Sequence, residues 1–267
     1  MTEDVVLIER SGSVATVTLN RPNARNAIND QLKRELVRAM DELENDTTVN
    51  AVILTGADPA FCAGLDLKQL GSTAANLGSA ANSGSARETT AEAARYPWPP
   101  LTKPVIGAIN GVAVTGGFEL ALNCDILVAS ERARFADTHA RVGVLPGWGL
   151  SVLLPLFVGR GLARRMSLTG DFLNADEALR AGLVTQVVAH EQLLPTARQV
   201  AETIATNEQD AVRALLGSYR LIEQEQIGDG YTIEAQTGRR WLERGFDPAE
   251  VERRRAAIQQ RGRTQNR

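Results

Sequence analysis

Short apolar runs that stop at or near a glycine constrain the fold of this chain more than any other feature. Ala51-Val52-Ile53-Leu54-Thr55-Gly56 and residues 104–109 are too short for a buried helix and show no polar alternation. Each therefore reads as a strand covered on both faces, the setting of a parallel sheet. Ahead of them, residues 5–8 and 14–19 flank the turn Ser11-Gly12-Ser13 and read as a hairpin. Arg21-Pro22-Asn23-Ala24-Arg25-Asn26 is a polar loop, after which Asn29 or Asp30 can cap a helix carrying Leu32, Leu36, Met40 and Leu43 on one stripe. Strand, helix and strand in that order imply a right-handed crossover.

The alternation continues with a helix over 118–122, a strand over 125–129, an extended stretch over 134–139 and a loop over 141–149 that holds Gly143, Pro146 and Gly147. Helices are predicted from Leu150, from Leu162 and over 174–182, ahead of a strand at 183–188. From His190 onward no further strand is evident and amphipathic helices recur, ending in a charged tail with Glu252, Arg253, Arg254, Arg255, Arg261 and Arg263. Residues 71–85, rich in Gly, Ser, Ala and Asn, lack a core-forming period; a lid and a tolerated insertion both fit that composition.

A net charge of −3 argues against a nucleic-acid partner, whose phosphates would require a basic face. The two cysteines, Cys62 and Cys124, lie too far apart in a chain without paired spacing to indicate a disulfide framework or a zinc site. Met1-Thr2-Glu3-Asp4 has neither the basic nor the apolar region of a signal peptide, and no apolar run is long enough to span a bilayer. A cytoplasmic protein with no membrane association is the expectation.

Chemistry concentrates in Ile109-Asn110-Gly111-Val112-Ala113-Val114-Thr115-Gly116-Gly117-Phe118-Glu119-Leu120, where a strand-like run meets a helix-like run through a glycine pair. Glycines at such a junction let backbone N–H groups approach an anion, with Glu119 standing beside it. Tight packing of a helix on a sheet calls for the same glycines. Phe61-Cys62-Ala63-Gly64-Leu65-Asp66-Leu67 repeats the theme, a loop of small residues ahead of a helix-compatible segment.

Together these two stretches resemble the crotonase family, the enoyl-coenzyme A (CoA) hydratase/isomerase superfamily. Leu19-Asn20-Arg21-Pro22 with Asn26-Ala27, Cys124-Asp125, Leu145-Pro146-Gly147, Leu168-Thr169-Gly170 and Ala181-Gly182-Leu183-Val184 fit in the same order, and the similarity covers about residues 5–260. The resemblance implies an α/β fold, a spiral of ββα units followed by a helical C-terminal region. It divides the chain into a core over 1–195 with an acyl-CoA site and a helical oligomerisation region over 196–267, assembled as a homotrimer or homohexamer. It also implies no cofactor, the CoA thioester being the substrate. By motif position the backbone N–H groups of Leu65 and Gly116 form the oxyanion hole, and Ala24, Ala27, Ala63, Asp66 and Leu67 receive CoA. Asp66 has a second reading as a helix cap.

An enolate oxygen gains nearly a full negative charge, and removing one fixed donor from it typically costs about 3 to 4 kcal/mol of transition-state stabilisation. Hydratases of this family divide the proton transfers between two glutamates. Glu119 matches the first, whereas the position of the second holds His139, within Ala136-Asp137-Thr138-His139-Ala140-Arg141. Three readings of His139 stand side by side: a catalytic replacement, since imidazole titrates near neutrality; a hydrogen-bonded loop residue; and a lining residue of an acyl pocket in an enzyme that uses Glu119 alone. Asp137, two residues earlier, shares a face with His139 if the segment is extended, and can orient it, serve as the second carboxylate or be a surface acid. Trp148 fits an acyl pocket or the core. Cys62 reads as packing, and His190 carries no assigned chemistry.

The implied activity is reversible addition of water to a 2-trans-enoyl-CoA, with Glu119, His139 and Asp137 as the catalytic group. Isomerisation or another single-base crotonase reaction is the enzymatic alternative, and a non-catalytic acyl-CoA-binding protein is the alternative of another class.

Overall fold

The computed structural model describes residues 4–66, 96–245 and 247–265. Leu67 and the span at 71–85 lie outside the described residues. Two sheets share the strands. The larger has the order β1 (Val6–Ser11), β2 (Val14–Leu19), β3 (Ala51–Gly56), β5 (Val105–Ile109), β7 (Ile126–Ser130), β10 (Gln186–Val188); β1 pairs antiparallel with β2 and every other neighbour is parallel. The smaller has the order β4 (Ala60–Cys62), β6 (Val112–Val114), β8 (Arg134–Ala136), β9 (Leu173–Asn174), with only β9 antiparallel.

From β3 to β8 consecutive strands alternate between the sheets, so each strand pair advances the chain by one place in both. That alternation is the spiral. It explains why β3 and β5 are almost wholly apolar: all their residues are buried, and the one polar side chain, Thr55, donates its hydroxyl to Ala108 O at 2.8 Å. Helix α1 (Asp30–Asn45) joins β2 to β3 and buries Leu32, Leu36, Met40 and Leu43, each worth roughly 1.5–3 kcal/mol relative to exposure. Asn29 caps it, accepting from Leu32 N at 2.8 Å. At its other end the buried Lys103 ammonium donates to Leu43 O at 2.5 Å and Asp46 O at 2.6 Å, a cation where the helix exposes unpaired carbonyls.

Helix α2 (Gly116–Leu122) is buried at every residue, and α3 (His139–Val142) follows β8. Helix α4 (Leu150–Thr169) breaks at Gly159, whose φ of 75° and ψ of 157° are not helical, in keeping with the two helices predicted there. Helix α5 (Ala175–Arg180) opens with a capping box between Asn174 and Glu177. Helix α6 (Leu193–Ala205) packs Leu193, Ala197 and Ala201 against the larger sheet. Helices α7 (Gln209–Ile227), α8 (Gly230–Glu243) and α9 (Pro248–Gln265) complete the chain. Arg220 of α7 donates to Leu101 O and pairs with Asp125 at 3.1 Å, while Asp125 accepts from Val105 N at 2.7 Å, so the Cys124-Asp125 motif pins α7 to the sheet.

Five expectations need correction. The strand β6, three residues inside the glycine-rich stretch, was not anticipated, and α2 begins at Gly116 rather than 118. The extended stretch stops at Ala136, because Asp137 turns the chain and α3 begins at His139; residues 141 and 142 are accordingly helical rather than loop. The last strand begins at Gln186, since Leu183 and Val184 are buried side chains of the approach to it.

Candidate active site

Three adjacent parallel strands of the smaller sheet, β4, β6 and β8, end at Cys62, Val114 and Ala136, and the chain leaves each at the same edge. Turns beyond the carboxyl ends of parallel strands form the crevice in which α/β proteins place ligands. Here they carry Gly64-Leu65, Thr115-Gly116 and Asp137-Thr138-His139.

The first two turns touch. A Cβ on Gly64, at φ +82°, would lie 2.6 Å from Val114 O, and one on Gly117 would lie 2.1 Å from Cys62 O, so only glycine permits this approach. Thr115 has φ 55° and ψ −117°, a region costly for a β-branched residue. Its N–H donates to Ala136 O at 3.0 Å and its hydroxyl shares a 2.5 Å hydrogen bond with Thr138, which ties the second turn to the third. Among the described residues, neither Leu65 N–H nor Gly116 N–H has an acceptor.

Glu119, one turn into α2, is 3% exposed. Its Oε1 accepts from Gly147 N at 3.0 Å and Trp148 N at 2.7 Å, and its Oε2 lies 3.6 Å from His139 Nε2. Asp137 Oδ1 in turn accepts from His139 Nδ1 at 2.7 Å and His139 N at 3.1 Å, so one oxygen fixes both the ring and the start of α3. Asp137 and His139 are therefore partners, through this bent turn and not through a shared face of an extended strand. Burial works against the imidazolium, but the Asp137 hydrogen bond and the Glu119 carboxylate outweigh it and raise the His139 pKa to about 9. Burial likewise opposes ionisation of Asp137, and its bonds with His139 overcome this and hold it below the usual carboxylate value. The result is a buried row of Asp137, His139 and Glu119, with Nδ1 bonded to Asp137 and Nε2 facing Glu119.

The loop before α1 closes one side. Ile28 N donates to Gly64 O at 2.8 Å and Asp66 N to Ile28 O at 2.9 Å, and Ala63 N donates to Arg25 O at 3.0 Å, which brings Ala24, Ala27, Ala63 and Asp66 into one neighbourhood. Asn26, fully buried at φ 55°, holds that loop by donating to Ala57 O and Ala60 O. Asp66 pairs with Arg21 at 3.1 Å, and Arg21 also donates to Ala27 O. Trp148 contributes its amide to Glu119, while its half-buried ring packs on the core with the Lys33 ammonium 5.5 Å from its centroid.

Cys62 is buried, donates to Asn26 O at 3.1 Å and has its thiol pushed up to about 12 by desolvation, which leaves it as packing. Among the described residues no group of three or more His, Cys, Asp or Glu side chains is arranged to hold a metal ion, and no helix is long and apolar enough to cross a membrane. Sequence reasoning missed the Gly147 and Trp148 amides as the anchors of Glu119; the Leu145-Pro146-Gly147 motif was the available signal.

Comparison with known proteins places the chain in a family. A sequence profile described as Enoyl-CoA hydratase/isomerase matches residues 9–240. The chain belongs to this family. Among curated relatives, the probable enoyl-CoA hydratase 1, peroxisomal, of Arabidopsis thaliana is 38% identical over 237 residues, 88% of this chain and 86% of the relative. Among solved structures, an enoyl-CoA hydratase from Mycobacterium tuberculosis H37Rv is 57% identical with a TM-score of 0.79, covering 89% of this chain and 99% of that one. One from Mycobacterium avium is 55% identical with a TM-score of 0.80, covering 90% and 98%. The family match over residues 9–240 spans the segments that carry Leu65, Gly116, Glu119 and His139.

Proposed function

We propose that this chain is a hydro-lyase that adds water reversibly to a 2-trans-enoyl-CoA. The observation that carries the reading is the divided use of Glu119: two amides hold Oε1, leaving Oε2 3.6 Å from His139 Nε2.

Glu119 Oε2 takes a proton from water as the water oxygen bonds to the β carbon of the thioester. The double-bond electrons move toward the carbonyl, and the N–H groups of Leu65 and Gly116 receive the enolate oxygen. His139 Nε2 then gives its proton to the α carbon, which restores the carbonyl. Glu119 is left protonated and His139 neutral, and transfer across the 3.6 Å between them resets both groups. Asp137 stays ionised and keeps the imidazole in the tautomer that faces Glu119.

Backbone groups near Ala24, Ala27, Ala63 and Leu67, with Asp66, receive CoA in this reading, and Trp148 borders the acyl chain. No cofactor is invoked. Exposed Leu156, Leu168, Leu215, Tyr219, Leu221 and Ile233 on α4, α7 and α8 support assembly through the region 196–267 and the adjoining α4, as a homotrimer or homohexamer. Light scattering would then give three or six times the 28.8 kDa chain mass. The cytosol is the proposed compartment, tested by fractionation.

The decisive assay is loss of enoyl-thioester absorbance when purified protein meets crotonyl-CoA, with the 3-hydroxyacyl product identified by mass. A shifted double bond without added water would indicate isomerisation, and binding without conversion across chain lengths would indicate an acyl-CoA-binding protein.

A further inference from the structure

Three acidic side chains are buried among the described residues: Glu119, Asp137 and Glu234. The first two flank His139. Glu234 comes from α8 and takes no part in the proton path, yet it is 8% exposed and both its oxygens are engaged. Oε1 accepts from Gly149 N at 2.7 Å, 85 residues away in the chain, and Oε2 accepts from Ser151 N at 2.8 Å.

Those donors belong to the turn that serves Glu119. Gly147 and Trp148 direct their amides to Glu119 Oε1, while Gly149 and Ser151 direct theirs to Glu234. The same helix also presses the turn sterically: a Cβ on Gly149, at φ +90°, would lie 2.5 Å from the Tyr231 ring. The turn is thus bonded to Glu234 at Gly149 and Ser151 and packed against Tyr231 at Gly149, while its other two amides reach Glu119. Burial first and the Glu119 charge second raise the Glu234 pKa.

We propose that Glu234 is a positioning residue for Glu119, clamping the 147–151 turn from behind so that its amides hold Oε1 and leave Oε2 free for proton transfer. The inference rests on the reading of Glu119 as the base that activates water. A carboxylate that merely capped α4 would affect stability and leave turnover unchanged, whereas a misplaced catalytic group costs turnover out of proportion to binding.

The test uses the full chain with Glu234→Gln and Glu234→Asp. Turnover of crotonyl-CoA is measured alongside thermal unfolding and amide hydrogen exchange of peptides covering 144–152. Glu234→Gln, which sets an amide NH2 against one of the two N–H donors, should lower kcat about 10- to 100-fold with KM within about threefold. Exchange at Gly147 and Trp148 should accelerate at least about tenfold, and Glu234→Asp should recover part of both losses. Folded Glu234→Gln with kcat within twofold of the unmodified chain, or with unchanged exchange at those amides, overturns the proposal. If Glu234→Gln does not fold, Glu234→Asp decides, and unmodified values of kcat and exchange overturn it. An unmodified chain that hydrates no enoyl-CoA would refute the hydratase reading instead; the exchange comparison then decides the clamp alone, unchanged exchange overturning it.

Discussion

The chain has two histidines, and each bridges two partners, yet their surroundings give them opposite characters. His139 lies between the Asp137 and Glu119 carboxylates, with all three side chains at most 4% exposed. His190 lies between Ser130 Oγ and Asp58 Oδ2, each at 3.0 Å, and Asp58 is 62% exposed. By residue type the second set is Ser, His and Asp, the members of a nucleophilic triad. However, Ser130 is fully buried and its hydroxyl also accepts from Arg132 N at 3.1 Å, so no substrate can reach it. The cluster joins β7, the β3–β4 loop and the segment ahead of α6. Partner count does not separate the two histidines. Burial and charge do: at His139 two carboxylates act with little screening on a desolvated imidazole and raise its pKa to about 9.

The largest expected effect follows from removing the group His139 faces. Glu119→Gln should reduce kcat for hydration by about 10³-fold or more while acyl-CoA affinity, measured by calorimetry, stays within a few-fold. Next comes the direct contrast. His139→Ala should cost about 10²-fold in kcat, and His190→Ala should leave kcat within twofold; equal losses in the two variants would erase the distinction. The pH profile sharpens the comparison further. With its folded pKa raised to about 9, His139 carries its proton below that value, so kcat/KM should fall as pH rises through about 9. Its stabilising contribution has the same sign: fully present below 6.5 and lost as pH rises through about 9. Absence of an alkaline limb would remove His139 from the proton path. The smallest effect is on stability, where His190→Ala should cost about 1 kcal/mol at neutral pH, read from denaturant unfolding.

Much of the frame was legible because burial on both faces leaves a plain mark: β3 and β5 are apolar but for Thr55, and α1 shows both its cap at Asn29 and its stripe. The division into two sheets was not legible locally. Strands β4 and β6 have three residues each, and no period can be read from three positions. The spiral came from resemblance. At the site, Glu119 and His139 stood out by motif position, but what sets their behaviour comes from far along the chain. Glu119 depends on amides 28 and 29 residues later, and amide donors leave no signature in side-chain chemistry. Glu234 shares a helix face with Tyr231, yet nothing in α8 discloses that this face meets Gly149. Of the three readings of Asp137, the contact with His139 is the one the structure shows, and it arises from a turn that the extended reading omitted.

Because the reactive pieces ride on the ends of three hydrogen-bonded neighbours, β4, β6 and β8, their separations are set by strand spacing rather than by the identity of the side chains mounted there. The sheet acts as a fixed rack with exchangeable tools. Replacing the imidazole at 139 with a carboxylate changes the charge at that position while leaving the Leu65 and Gly116 amides, on the turns after the other two strands, in place. A single-position exchange of that kind offers a way to move the enzyme's working pH without rebuilding its substrate pocket.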